Sequence, residues 1–62
     1  MTMHQAVEHE ETMLGATIVP RDFISLTGCF VLTYEHGETL RFAVFGADGR
    51  PHTSGILEQG RG

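Results

Sequence analysis

Apolar positions change their spacing once along this chain. Between residues 2 and 14, Met3, Ala6, Val7, Met13 and Leu14 recur at helical intervals, while Glu8 and Glu11 fall mostly on the other side. Thr2 and Gln5 have the spacing of a capping box, in which each side chain satisfies a backbone donor of the first turn. The pattern predicts a short helix or arm over residues 1–14. A helix of this length is marginal in water unless something packs on it, so an arm that orders only against a partner is the competing form.

From Gly15 onward the pattern is that of strands, and residues 15–57 read as one antiparallel β domain. Ala16–Val19 and Asp22–Leu26 form one edge strand bent at Pro20, or two short ones, because proline has no N–H for a ladder. Cys29–Tyr34 is almost wholly apolar or aromatic, which fits a central strand buried on both faces. A turn at Glu35-His36-Gly37 leads into Leu40–Phe45. A second turn at Gly46-Ala47-Asp48-Gly49 leads to a last, edge-like strand over residues 52–57. Residues 58–62 read as a flexible tail. The fold class is mostly β (α+β): a short N-terminal helix or arm, then an antiparallel meander of three to five strands, as a curled sheet or small barrel.

The first hairpin admits two registers. A two-residue His36-Gly37 loop pairs Leu32 with Arg41 and sets Glu35 against Glu38, a repulsive pair. A three-residue loop pairs Leu32 with Leu40 and Phe30 with Phe42, and is favoured. It gathers Phe30, Leu32, Tyr34, Leu40, Phe42 and Val44 on one face, and Cys29, Val31, Thr33, Arg41, Ala43 and Phe45 on the other. Both faces are then rich in apolar side chains. On this register Phe42 and Leu32 are core, and Glu10→Ala is expected to leave folding untouched.

Size sharpens the consequence of two apolar faces. Sixty-two residues make one small domain, and a chain of about 60 residues buries only about 60% of its unfolded surface. One cysteine allows no internal disulfide. Self-association is the remaining source of stability, so a second copy of the chain is the expected partner, a dimer at its simplest.

Charge narrows the partners further. Eight acidic residues oppose four arginines, Arg21, Arg41, Arg50 and Arg61, for a net charge of −4. Scattered arginines make no basic patch, which argues against direct nucleic-acid binding and against an anionic membrane surface. Glu8, Glu10 and Glu11 concentrate the acidity near the N-terminus. No secretory pattern opens the chain, and the cytoplasm is the expected compartment. The absence of lysine and asparagine points to a GC-rich bacterial or phage genome.

Candidate chemistry is thin. His4 and His9 stand five apart, unlike the i, i+4 pairing of metal-binding helices. His4, Glu8 and Glu11 share a helix side, where solvated polar residues are the ordinary reading. Cys29 reads as an inert core thiol, His36 as a turn residue and His52 as a strand start. Gly46 and Gly49 belong to a turn, with no following helix and no lysine to hold a phosphate. No catalytic, cofactor-binding or metal-ligating set is assigned. The expected function is a non-catalytic protein-interaction module that self-associates and binds, and in doing so inhibits, another protein. Glu8, Glu10, Glu11, Val31, Arg41 and Phe45 are its interaction candidates. A structural subunit of a larger assembly is the alternative, and a metal-binding or shared-site enzyme subunit the second alternative.

Overall fold

The computed structural model describes residues Met1–Gly60. One helix, α1 (Met3–Leu14), precedes four strands: β1 (Val19–Leu26), β2 (Cys29–His36), β3 (Thr39–Gly46) and β4 (Pro51–Glu58). The strands form a single antiparallel sheet in the order β1-β2-β3-β4, an open meander. The fold is the expected helix-plus-meander, with four strands and no barrel closure. Among the described residues no helix is long and apolar enough to cross a membrane. Of the expected tail, Glu58 closes β4, and residues 61–62 lie outside the described residues.

The capping box at Thr2 and Gln5 is formed on both sides: Gln5 N donates to Thr2 Oγ1 at 3.2 Å and Thr2 N donates to Gln5 Oε1 at 2.8 Å. Gly15 ends the helix in the left-handed conformation, its N–H bonded to Glu11 O at 2.8 Å. Ile18 then turns inward and is buried, and its N–H donates to the Glu11 carboxylate at 3.1 Å. Glu11 therefore holds the link between helix and sheet instead of offering its charge to a partner. The buried stripe of α1 runs through Ala6 and Glu10, flanked by Val7 and Leu14. Met3 and Met13, expected on that stripe, are exposed at 45% and 71%.

β1 is the bent edge strand, one element with its register interrupted between Pro20 and Asp22. The β2–β3 register differs from both alternatives. The loop is Gly37-Glu38, so that His36 pairs with Thr39, Tyr34 with Arg41, Leu32 with Ala43 and Phe30 with Phe45. Gly37 has φ +64°, and among the described residues no non-glycine has positive φ. Positive φ at the first central position alone is the II′ hairpin pattern, whose twist matches the flanking strands. His36 and Glu35 thus belong to β2 and not to a turn.

Relative to the expected pairing, β3 has slipped by three residues, an odd number, which exchanges its faces. Leu32, Tyr34, Ala43 and Phe45 now share the face under α1, and all four are buried. Val31, Leu40, Phe42 and Val44 lie on the opposite face and are only half-buried. Hydrophobic patterning leaves this choice open because both sides of β3 are apolar apart from Arg41. What separates the registers is size and partner: Ala43 sits under the helix, where a small side chain allows close approach, and Arg41 comes opposite Tyr34.

Phe23 and Phe30 stack at 5.6 Å between ring centroids and extend the core beyond the helix. On the far face the Phe42 ring lies over Gly55 of β4, where an added Cβ would stand 3.1 Å from it. The ring lends the glycine the cross-strand packing it lacks.

The core order can be measured. Leu32→Ala and Phe45→Ala should each cost about 2–5 kcal/mol in urea unfolding at low protein concentration, and Phe42→Ala clearly less. A larger loss at Phe42 would contradict the face assignment.

Candidate functional site

α1 and the sheet meet through a chain of polar groups. Position 10 falls on the inner line of the helix, so the Glu10 carboxylate enters the interface and is only 4% exposed. Tyr34, from the centre of β2, is fully buried beneath it and donates its hydroxyl to Glu10 Oε1 at 2.8 Å. Arg41, directly across from Tyr34 on β3, donates its Nε–H to the same hydroxyl oxygen at 3.0 Å. On the other side of the carboxylate, His9 Nδ1–H donates to Glu10 Oε2 at 2.9 Å, and the imidazole meets Phe45 edge-on at 5.4 Å.

Each member is held by its neighbours. A buried carboxylate is costly unless its oxygens accept hydrogen bonds, and here both do. The Tyr34 hydroxyl gives one hydrogen bond and receives one, which fixes its orientation. No buried polar side-chain atom among the described residues lacks a partner. Burial, opposed by the Arg41 N–H and reinforced by the Glu10 carboxylate, holds the Tyr34 phenol above its usual value of 10.0.

The six residues proposed from sequence are separated by this arrangement. Glu10 and Phe45 are interior, not interaction surface: one anchors the helix and the other is a fully buried core ring. Arg41 lies on the helix face with Tyr34, not beside Cys29 and Val31, because of the register slip. Glu8 is exposed and faces His4 at 3.6 Å, both in solvent, and Glu11 holds Ile18. Val31 sits on the uncovered sheet face. Cys29, expected in the core, is half-buried on that same face.

Sequence reasoning placed Glu10 with the solvated acids, although a usable signal existed. Residues 3, 7, 10 and 14 follow the alternating four-and-three spacing of an apolar helical stripe, and Glu10 interrupts it from inside. A carboxylate on such a line demands a donor from the facing sheet, which Tyr34 supplies, its hydroxyl oxygen accepting in turn from Arg41.

Beside this chain, toward β4, the helix stops short of the sheet edge. A groove of about 270 Å³ opens there, with Met13 and Leu14 on the helix side, Ala43 and Phe45 as its floor, and Pro51, His52 and Ser54 along β4. Glu10 and Arg41 border its inner end. Among the described residues no group of three or more His, Cys, Asp or Glu side chains is placed to hold a metal ion.

The second surface is the sheet face away from α1. Across the strands, Ile24, Val31, Val44 and Thr53 form one row, and Asp22, Thr33, Phe42 and Gly55 the next. Leu26 and Cys29 extend the apolar area at one end. Ile24 and Leu26 are 47% and 54% exposed. The central rows carry one charge, Asp22, while Glu35 is paired with Arg21. No known protein family, curated protein or solved structure matches this chain.

Two outcomes follow from the polar chain. Glu10→Ala strands the Tyr34 hydroxyl and the His9 N–H, and should cost about 1–3 kcal/mol in urea unfolding, in contrast to the neutral result expected from a surface acid. Because the folded state raises the Tyr34 pKa, its neutral form binds a proton that the unfolded chain releases. That contribution is complete below pH 10 and is lost as pH rises through the folded-state pKa. Stability should therefore decline above about pH 10, and Tyr34→Phe should flatten the decline in an alkaline unfolding series.

Proposed function

We propose that this chain is a non-catalytic interaction module that pairs with a second copy of itself through the uncovered face of its sheet. The observation that carries the reading is that face: a band containing Ile24, Leu26, Val31, Phe42 and Val44 with no element formed by the described residues packed on it.

Size and charge support a second copy as the occupant. Strands of eight residues at about 3.3 Å each give a length near 26 Å, and four strands about 4.8 Å apart give a width near 19 Å. The face therefore offers roughly 500 Å² to a partner. Two such faces contribute about 1,000 Å², the lower bound of a specific interface. Ile24, Val31 and Val44 of the uncharged row meet like with like in a two-fold arrangement, while Asp22, on the edge strand, and Glu35 and Glu58 stay toward the margins. Two twisted sheets stacked about 10 Å apart, their strands within about 30° of parallel, form an ordinary sandwich core.

In that dimer both helices lie outside. Their outer faces carry His4 and Glu8, and the net charge of −4 per chain gives the pair an acidic exterior. That exterior is suited to a basic surface on another protein, which the dimer would cover and so block.

Size-exclusion chromatography with light scattering tests the reading. The wild-type chain should elute as a closed dimer at micromolar concentration, and Val44→Asp, which sets a charge in the central row, should be monomeric while keeping its circular dichroism spectrum. A folded monomer at millimolar concentration, or a large ring or filament, would overturn it.

A further inference from the structure

The groove between α1 and β4 is independent of the sheet-face reading, and its chemistry is different. Arg41 spends its Nε–H on Tyr34, but among the described residues no carboxylate lies within 4.0 Å of its guanidinium and no hydrogen bond takes its terminal nitrogens. Glu10, the acid at the same end, has both oxygens committed, one to Tyr34 and one to His9. Arg41 thus contributes uncommitted charged donors to the groove. The rest of the lining combines apolar Met13, Leu14, Ala43, Phe45 and Pro51 with the polar but uncharged Ser54 and the imidazoles of His9 and His52.

We propose that this groove binds a small apolar carboxylic acid, with the carboxylate on the terminal nitrogens of Arg41 and the apolar part along Met13, Leu14 and Pro51. A guanidinium presents paired donors in one plane and matches a carboxylate in a bidentate manner. Its aim is set in advance, because the Tyr34 hydroxyl holds Nε and Glu10 holds Tyr34. The volume of about 270 Å³ lies just under the usual range for drug-sized ligands, which limits the occupant to one ring or a short branched chain. Ser54, paired with Ala43 on the exposed edge strand, lies at its mouth.

The test uses the full chain and 3-phenylpropanoate, with 3-phenylpropanamide as the uncharged match in shape. Titration followed by amide ¹H–¹⁵N shifts should give a dissociation constant on the order of 1 mM for the acid, with the largest shifts at Met13, Ala43 and Ser54. The amide should bind at least tenfold more weakly. Arg41→Gln should remove the preference for the acid. Because that variant also disturbs Tyr34, Ser54→Phe provides a second check: it fills the mouth from an exposed position and should abolish binding with the spectrum otherwise preserved. Equal binding of acid and amide, shifts located on the open sheet face, or no binding up to about 10 mM would each overturn the proposal. Tighter binding of a peptide ending in a free phenylalanine carboxylate would also do so, by making the occupant a protein terminus.

Discussion

A single helix about 10 Å across lies over a sheet of four strands whose width is near 19 Å. This mismatch shapes the molecule. Twelve residues of helix can cover about two strands on one face and nothing on the other. α1 sits over the middle of the sheet, where Leu32, Tyr34, Ala43 and Phe45 are buried. The stacked rings of Phe23 and Phe30 fill the β1 side. On the β4 side nothing does, and the groove opens there. Among the described residues no element covers the opposite face, for the same reason.

The polar chain explains why the helix sits where it does. Apolar contact alone would let α1 slide along the sheet, since Ala6, Val7 and Leu14 pack against any greasy surface. The Glu10 carboxylate removes that freedom, because its burial is tolerable only with the Tyr34 hydroxyl at one oxygen and His9 at the other. Arg41 comes directly opposite Tyr34 because β2 and β3 pair as they do. Helix position and strand register are thus coupled through one hydroxyl group. In so small a core, a few oriented hydrogen bonds distinguish arrangements that burial energy would leave nearly equal.

The two surfaces left by the mismatch differ in kind. The open face is broad, flat and mostly uncharged, which suits another sheet. The groove is narrow and combines apolar walls with an anchored guanidinium, which suits a small anion with an apolar body. Neither depends on the other: the face is built from the outward side chains of β1, β2 and β3, the groove from α1, β3 and β4 on the inner side.

Much of the architecture was legible in the residues themselves, because it depends on local chemistry. Thr2 and Gln5 announce a helix start, Pro20 bends an edge strand, Gly37 and Gly49 mark the turns, and alternating apolar runs make strands. Those features act over a few residues and need no distant partner. The register of β2 on β3 did not follow from them, since both faces of β3 are apolar and patterning cannot tell one from the other. The role of Glu10 did not follow either, since a carboxylate on a helix is ordinarily solvated unless donors await it, and its donor from the sheet, Tyr34, lies on a strand far along the chain. Only the tertiary structure brings Tyr34 to that carboxylate and Arg41 to the Tyr34 hydroxyl, and with those contacts decides which face the helix covers.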